Sequence, residues 1–387
     1  MNLPVSGVRD LTIHGDDLVI ATFGRSFWIL DNITPLRQVQ AARKVEGAWL
    51  FSPATAVRVD NDSFTGTPLP PEEPTAENPP SGAMLDYFLP SAASEVRLEI
   101  FDAQQNLVRR FSSESHSSEG RSSGDQSSGD QSSHGQETWK HQALPVAERW
   151  FPKPEVLEKT SGMHRFVWNL TWGSSGGPSA DEDAEFHNPS GPKVMPGIYQ
   201  VRLTVDGKTQ AQSLKVMMDP RSRASSEILA QQLQLGQQIF GETIEARRAL
   251  AEIGSVEKQL ADLQQNLGQQ KLEQQTSLLE SALVEVRSGI SKILTNKEHA
   301  GEGLGLQDAY TGLASALRVV ESGDRAVPAQ AIAVYQESSP QVKVRIAEWV
   351  RFKQTRLAQL NQQLREAKLA PIAIAEIERL VEFLMSR

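Results

Sequence analysis

Residues 196–227, PGIYQVRLTVDGKTQAQSLKVMMDPRSRASSE, contain the change of architecture that organises the chain. Tyr199, Val201, Leu203 and Val205 alternate with Gln200, Arg202 and Thr204, the two-residue period of a strand with one face buried. Asp206-Gly207 follows, the strongest short hairpin signal, because a two-residue turn of this kind requires positive φ at both positions. Gln212–Met217 reads as the returning strand. Asp219-Pro220-Arg221 then ends the sheet, and Ser225-Ser226-Glu227 has the chemistry of a helix start. The reading predicts a β-rich half before Pro220 and a helical half after it.

Downstream, the apolar residues change period. Leu250, Ile253, Leu260, Leu263 and Leu267 recur at threes, fours and sevens, as do Leu272, Leu279, Leu283, Val286, Ile290 and Ile293. Two further sets continue the pattern: Leu306, Tyr310, Leu313, Leu317 and Val320, then Ile346, Val350, Leu357, Leu360 and Leu364. Turn signals fall near Gly268, Glu298–Gly303 and Gly323. The expectation for 220–387 is four amphipathic helices in an antiparallel bundle or long helical hairpin. Ser339-Pro340 reads as the start of the last long helix, with proline in its first turn.

Upstream, 84–219 reads as an immunoglobulin-like β-sandwich. Its predicted strands are Leu85–Leu89, Val96–Phe101, Leu107–Phe111 and His164–Leu170, followed by the hairpin. Residues 112–137 interrupt it with a Ser/Gly-rich stretch in which SSGDQ occurs twice, at 122–126 and 127–131. With almost no apolar residues, this insertion is expected to be disordered. Residues 41–83, including the Pro-rich run from Pro68 to Pro80, read as a linker with a partial strand. Val8–Leu30 reads as a short antiparallel meander, turning at Gly15-Asp16-Asp17 and around Phe23-Gly24-Arg25. So few residues cannot bury both faces of a sheet, so 1–40 is expected to be an incomplete piece of a larger sheet system. The fold class is thus multi-domain, all-β then all-α.

Composition narrows the function classes. The chain has 387 residues, room for two or three domains, with 39% hydrophobic and 22% charged residues. A net charge of −9 and no basic stripe argue against a nucleic-acid partner. Cysteine is absent, which removes disulfides, thiolate nucleophiles, iron–sulfur clusters and cysteine-ligated zinc. No apolar run is long enough to span a bilayer. Met1–Gly7 lacks the layout of a signal peptide, so the chain as written carries a cytoplasmic address.

Candidate chemistry is sparse. His187 follows the acidic run Asp181–Glu185, and His164 lies one strand away, but the spacing matches no metal motif; a solvated acidic loop is the stronger reading. His14 with Asp16 and Asp17 reads as turn chemistry. Asp10, Asp31 and Asp86 lie near strand ends, where paired carboxylates for glycoside hydrolysis would need to flank a cleft; turn and strand-end roles account for them better. There is no Gly-x-Ser-x-Gly elbow, and Gly301–Gly305 lacks the preceding strand of a phosphate loop. Trp168 falls on the face of Phe166 and Leu170, which assigns it to the core. Trp139 and Trp150, in a proline-containing loop, are the candidates for ligand contact, in the manner of a carbohydrate-binding module. Asn32-Ile33-Thr34 and Asn169-Leu170-Thr171 match the glycosylation sequon. No residue is assigned as catalytic, cofactor-binding or metal-ligating, and no cofactor is expected.

Val8-Arg9-Asp10-Leu11 and Thr22-Phe23-Gly24-Arg25-Ser26-Phe27-Trp28-Ile29-Leu30-Asp31-Asn32-Ile33-Thr34-Pro35-Leu36 together resemble the last blade of a bacterial sortilin-like β-propeller. Such proteins carry neuraminidase-type repeats and are often labelled glycosyl hydrolases. Gly162–Trp168 and Pro196–Arg221 look like the immunoglobulin-like module that follows that propeller, and the helical tail fits the same layout. The resemblance covers nearly the whole chain except 112–137. It implies an exported protein in which the propeller carries whatever binding or hydrolytic role exists. No Asp-box of the form Ser-x-Asp-x-Gly-x-x-Trp occurs, and the arginine cluster and tyrosine nucleophile of sialidases have no matching positions. The expectation is a non-catalytic accessory or interaction region, the product of a truncated reading frame, with the missing propeller portion, another protein or a glycan as partner. The alternatives are a glycosyl-hydrolase fragment that needs the missing blades for activity and a carbohydrate-binding module.

Overall fold

Three strands, Val8–His14 (β1), Asp17–Thr22 (β2) and Phe27–Leu30 (β3), open the chain as an antiparallel sheet in the order β1-β2-β3. The computed structural model describes residues 3, 5–59, 79–113, 156–173, 191–269, 275–295 and 303–374. The chain divides into two units, Met1–Glu185 with Val194–Ser222, and Phe186–Lys193 with Arg223–Arg387. The β-then-α division therefore holds, with the boundary beside Pro220.

In the first unit, helix α1 (Thr34–Ala42) leads from the three-stranded sheet into eight further strands. These are β4 (Trp49–Leu50), β5 (Ala56–Arg58), β6 (Ala83–Leu89), β7 (Val96–Phe101), β8 (Leu107–Ser112), β9 (Gly162–Trp168), β10 (Gly197–Val205) and β11 (Lys208–Met218). They form a five-stranded sheet, β5-β11-β10-β7-β8, and a three-stranded sheet, β4-β6-β9. All pairings are antiparallel except β5 with β11. Leu85, Leu98, Ile100, Trp168, Val201 and Leu214 from both sheets share one core. Alternation decides this burial: Val96, Leu98 and Ile100 are buried while Arg97 and Glu99 between them are only partly so. Tyr199, Val201 and Leu203 likewise face inward. Asp206 (φ +46°) and Gly207 (φ +81°) close the β10–β11 hairpin between Val205 and Lys208, as their sequence requires.

Ser112 and Ser113 lie in the serine-rich stretch by composition, yet Ser112 ends β8 and Ser113 is bonded to β7. The Ser113 hydroxyl accepts from the Val96 N–H at 2.9 Å, and its own N–H donates to the Val96 carbonyl. Ordering these two serines is offset by the backbone groups they satisfy. Residues 114–137, with the repeat, lie outside the described residues. Within 41–83 the two short strands β4 and β5 join opposite sheets, and 60–78 lie outside the described residues.

The seam beside β4 is closed by side chains of β11. Gln210 accepts from the Leu50 N–H at 2.8 Å and donates to the Ala48 carbonyl at 2.6 Å. Gln212 donates to the Leu50 carbonyl at 3.2 Å and accepts from the Ser52 hydroxyl at 2.8 Å. Two glutamine amides thus stand in for a neighbouring strand. Gln210→Ala takes this partner from the Leu50 N–H and the Ala48 carbonyl and should destabilise the β-domain by about 1–3 kcal/mol. Lys208→Ala, at the exposed tip, should stay within about 0.5 kcal/mol of wild type. Urea unfolding followed by near-UV circular dichroism reads the difference.

In the second unit the helices are α2 (Ser226–Gln269), α3 (Gln275–Thr295), α4 (Leu306–Val320), α5 (Ala329–Phe352) and α6 (Ala358–Glu366). A π-helical turn, Lys353–Leu357, joins the last two. Their apolar stripes, including Ile253, Leu260, Leu283, Ile290, Leu313, Leu317, Trp349, Leu360 and Leu364, form one core. The helix predicted to begin at Ser339-Pro340 begins instead at Ala329, and Pro340 lies inside it. Proline there removes a backbone hydrogen bond. Packing outweighs that cost: Ala331, Val342 and Trp349 are buried along the same helix, and Ser338 presses close to Gly312 of α4. Gly268, predicted as a turn, lies within α2, which continues to Gln269.

Candidate functional site

The three-stranded sheet carries apolar residues on both of its faces. Leu11, Ile20 and Trp28 are cross-strand partners, as are Ile13, Leu18 and Leu30; these six share one face. Thr12, Val19 and Ile29, with Asp10, Ala21 and Phe27, share the other. An antiparallel sheet that covers a core with one side shows polar residues on its other side. Here Leu11 (54%) and Ile13 (55%) are exposed on one face, and Phe27 (73%) and Ile29 (61%) on the other. Among the described residues neither β1 nor β3 pairs with a further strand. Among the described residues both faces and both edges of the sheet are therefore open.

The end of the sheet that adjoins the β-domain is built from polar groups. The chain leaves β3 through Asp31 and Asn32, and Asn32 takes φ +57°, a left-handed conformation that asparagine tolerates. Arg165 of β9 donates to the Asp31 carbonyl at 2.9 Å, to the Asn32 carbonyl at 3.0 Å, and to both oxygens of Asp86 at 2.8 and 3.3 Å. The Asn32 side chain donates to Asp86 at 3.2 Å and accepts from Thr34. The Asn32 backbone N–H donates to the Asp17 carboxylate at 2.9 Å. Arg37 of α1 pairs with Asp16 and donates to the Gly15 carbonyl. Burial pushes the Asp86 carboxyl above its ordinary value, against the hydrogen bond and charge of Arg165. Burial and then Asp17 do the same for Asp31, again opposed by Arg165.

This cluster includes two of the three strand-end carboxylates read from the sequence, but it has the chemistry of a fastening. Asp86 is buried on β6 with Arg165 and Asn32 on its oxygens. Asp10 accepts from the Leu11 N–H at 2.8 Å and sits on the exposed sheet. Asp16 and Asp17 tie the turn to the chain leaving β3, so their role is structural. His164 packs against Tyr87 with the rings tilted and their centroids 5.1 Å apart, and its Nε2–H donates to the Thr160 carbonyl at 2.7 Å. Among the described residues no group of three or more His, Asp or Glu is placed to hold a metal. Trp168 is fully buried, edge-on to Tyr199 at 5.7 Å. Trp139, Trp150 and the run Asp181–His187 lie outside the described residues. The Asn32 sequon is buried with its amide engaged, which removes it as a glycosylation acceptor in the folded chain. Sequence reasoning missed Arg165 and the pivotal position of Asn32; the only local signal was an asparagine directly after a strand, a residue that adopts positive φ readily.

Among the described residues of the helical unit, one charged side chain is buried. Glu252 of α2 is buried and accepts from Trp349 Nε1 at 2.9 Å and Lys353 Nζ at 2.6 Å, with Arg248 at 3.4 Å. The network joins α2 to α5 and to the π-helical turn. No described helix is long and apolar enough to cross a membrane. No family model, curated protein or solved structure matches the chain.

Proposed function

We propose that this chain is a non-catalytic accessory and interaction region of an exported β-propeller protein, in which β1–β3 is the last blade. One observation carries the reading: a three-stranded sheet with apolar side chains exposed on both faces. A blade inside a propeller is flanked by a neighbour on each side, and it needs that two-sided pattern. A surface sheet does not. The motifs Thr22–Leu36 and Val8–Leu11 support the same assignment by resemblance, and on it the β-domain is the immunoglobulin-like module after the propeller and the helices its tail bundle. The partner is then the remainder of a propeller, which would cover both faces and continue the sheet edges. Export follows from the same resemblance.

Binding to a separately produced propeller segment tests this, using one that lacks its last blade and comes from a protein bearing the same Thr22–Leu36 motif. The expected result is a one-to-one complex on size-exclusion chromatography, abolished by Leu11→Asp or by Ile29→Asp, since each face has its own neighbour. A complex disrupted by one substitution and indifferent to the other would overturn the two-sided arrangement. So would the absence of any complex. Hydrolysis of a glycoside panel by the complex, with the chain alone inactive, would replace the accessory reading with that of an enzyme fragment.

A further inference from the structure

We propose that Arg165, Asp86 and Asn32 form a rigid joint that holds the β1–β3 sheet at one fixed angle to the two-sheet β-domain. The inference goes beyond the accessory reading and does not depend on what covers the sheet. A flexible tether between two bodies is rich in glycine and serine and leaves its backbone to water. The tether here is the opposite. Asp31 and Asn32 have both of their carbonyls occupied by one guanidinium, whose planar fork of donors suits several acceptors at fixed angles. The same guanidinium is held in place by Asp86, whose side chain is 4% exposed while that of Arg165 is 33% exposed. Asn32 completes the triangle by donating to Asp86, and its left-handed backbone sets the direction in which the chain leaves β3.

Among the described residues the fastening lies at one end of the sheet. The β1–β2 turn is bound there through Asp16 and Asp17, and the Ile33 N–H donates to the Asp16 carbonyl at 2.7 Å. Helix α1 extends the same joint, because Gln38 donates to the Ser52 carbonyl at 3.1 Å and accepts from the Ser52 N–H at 2.9 Å. At the far end, around Phe23–Ser26, the described hydrogen bonds stay within the sheet: Ser6 to Phe23, Trp28 to Arg25, Thr22 to Ser26. The sheet is thus a cantilever. A projecting element attached at one end keeps its orientation only if that attachment is stiff, and a fixed orientation removes an ordering cost when a partner binds.

The absence of cysteine makes the test direct. Spin labels at Arg25→Cys, on the far turn, and at Lys215→Cys, on β11, report the angle as a distance distribution in the full chain. The wild-type background is expected to give one narrow peak. Arg165→Ala and Asn32→Ala are each expected to lose it, giving a distribution about twofold broader or more, as a freed hinge does. Arg165→Lys should remain broad, because a single ammonium cannot bridge two carbonyls and a carboxylate. Near-UV circular dichroism checks the β-domain in every variant. If Arg165→Ala unfolds it, Asn32→Ala decides, since Asn32 lies outside both sheets of that domain. A broad wild-type distribution, or a peak that stays narrow in Asn32→Ala, would overturn the joint. No partner is present in the measurement, so its failure and a failure of the propeller reading are separable.

Discussion

Glu252→Ala is expected to destabilise the helical unit by about 3 kcal/mol, because it leaves one indole N–H and one ammonium without their shared acceptor. Trp349 is 1% exposed and cannot turn its N–H to water, whereas the Lys353 side chain is 24% exposed and can reach it, which keeps the loss at the lower end for a broken buried pair. Glu252→Gln preserves the shape and one good acceptor but not the charge, and should cost about 1–2 kcal/mol. The two variants also separate by pH. Burial pushes the Glu252 carboxyl up, but the hydrogen bonds from Lys353 and Trp349, with the charges of Lys353 and Arg248, outweigh it and hold the group below its ordinary 4.5. A carboxyl whose folded value is depressed contributes stability above the ordinary value and loses it as pH falls through the folded one. The wild-type advantage over Glu252→Gln should be complete at pH 6 and shrink steadily below 4.5. Urea unfolding monitored by helical circular dichroism at several pH values measures it. A pH-independent difference between wild type and Glu252→Gln would show that the charge contributes nothing.

Gly82→Ala should destabilise the β-domain by about 4 kcal/mol, from backbone strain and backbone collision together. Gly82 takes φ +129°, and a Cβ there would lie 2.2 Å from the carbonyl oxygen of Trp168 and 2.9 Å from its carbonyl carbon. Neither atom can rotate away, because Ala83 pairs with Trp168 in the β6–β9 ladder and the Trp168 side chain is fully buried. Gly162 provides a matched control at the other end of the same strand pair. Its φ is +130°, yet a Cβ would meet nothing within 4 Å. Gly162→Ala should therefore show the strain alone, about 1–2 kcal/mol. Equal losses in the two variants would mean that the close approach to Trp168 relaxes without cost.

Physical reasons explain which parts of this molecule were readable in advance. The Asp206-Gly207 hairpin was legible because both positions need positive φ, and few residue pairs supply that. The buried faces of β7 and β10 were legible because a period of two reports a sheet with one side covered. The first three strands were legible as an antiparallel meander because their β-branched and aromatic runs are punctuated by Gly and Asp turns, whereas the apolar character of both faces emerges from the observed register. Pro340 shows the limit of local reading. Its chemistry marks a helix start, and the packing of Val342 and Trp349 against the other helices overrides it.

The candidate site divides along the same line. Among the described residues, two of the carboxylates read as strand-end groups, Asp10 and Asp86, serve as hydrogen-bond acceptors in the fold. The joint was not legible. Arg165 lies 79 residues from Asp86 and 133 from the Asn32 carbonyl it binds. Gln210 lies 160 residues from Leu50. Hydrophobic periodicity states which side of an element is buried, because every residue of the element votes on it. A hydrogen bond between distant polar groups is decided once, by where packing happens to bring two side chains, and leaves no period behind. By itself, then, the sequence determined the order of architectures, the principal strands and the helical stripes. Only the tertiary structure decided which sheet each strand joins, how β4 is sealed by two glutamines, and that Asp86, Arg165 and Asn32 meet where the projecting sheet is fastened.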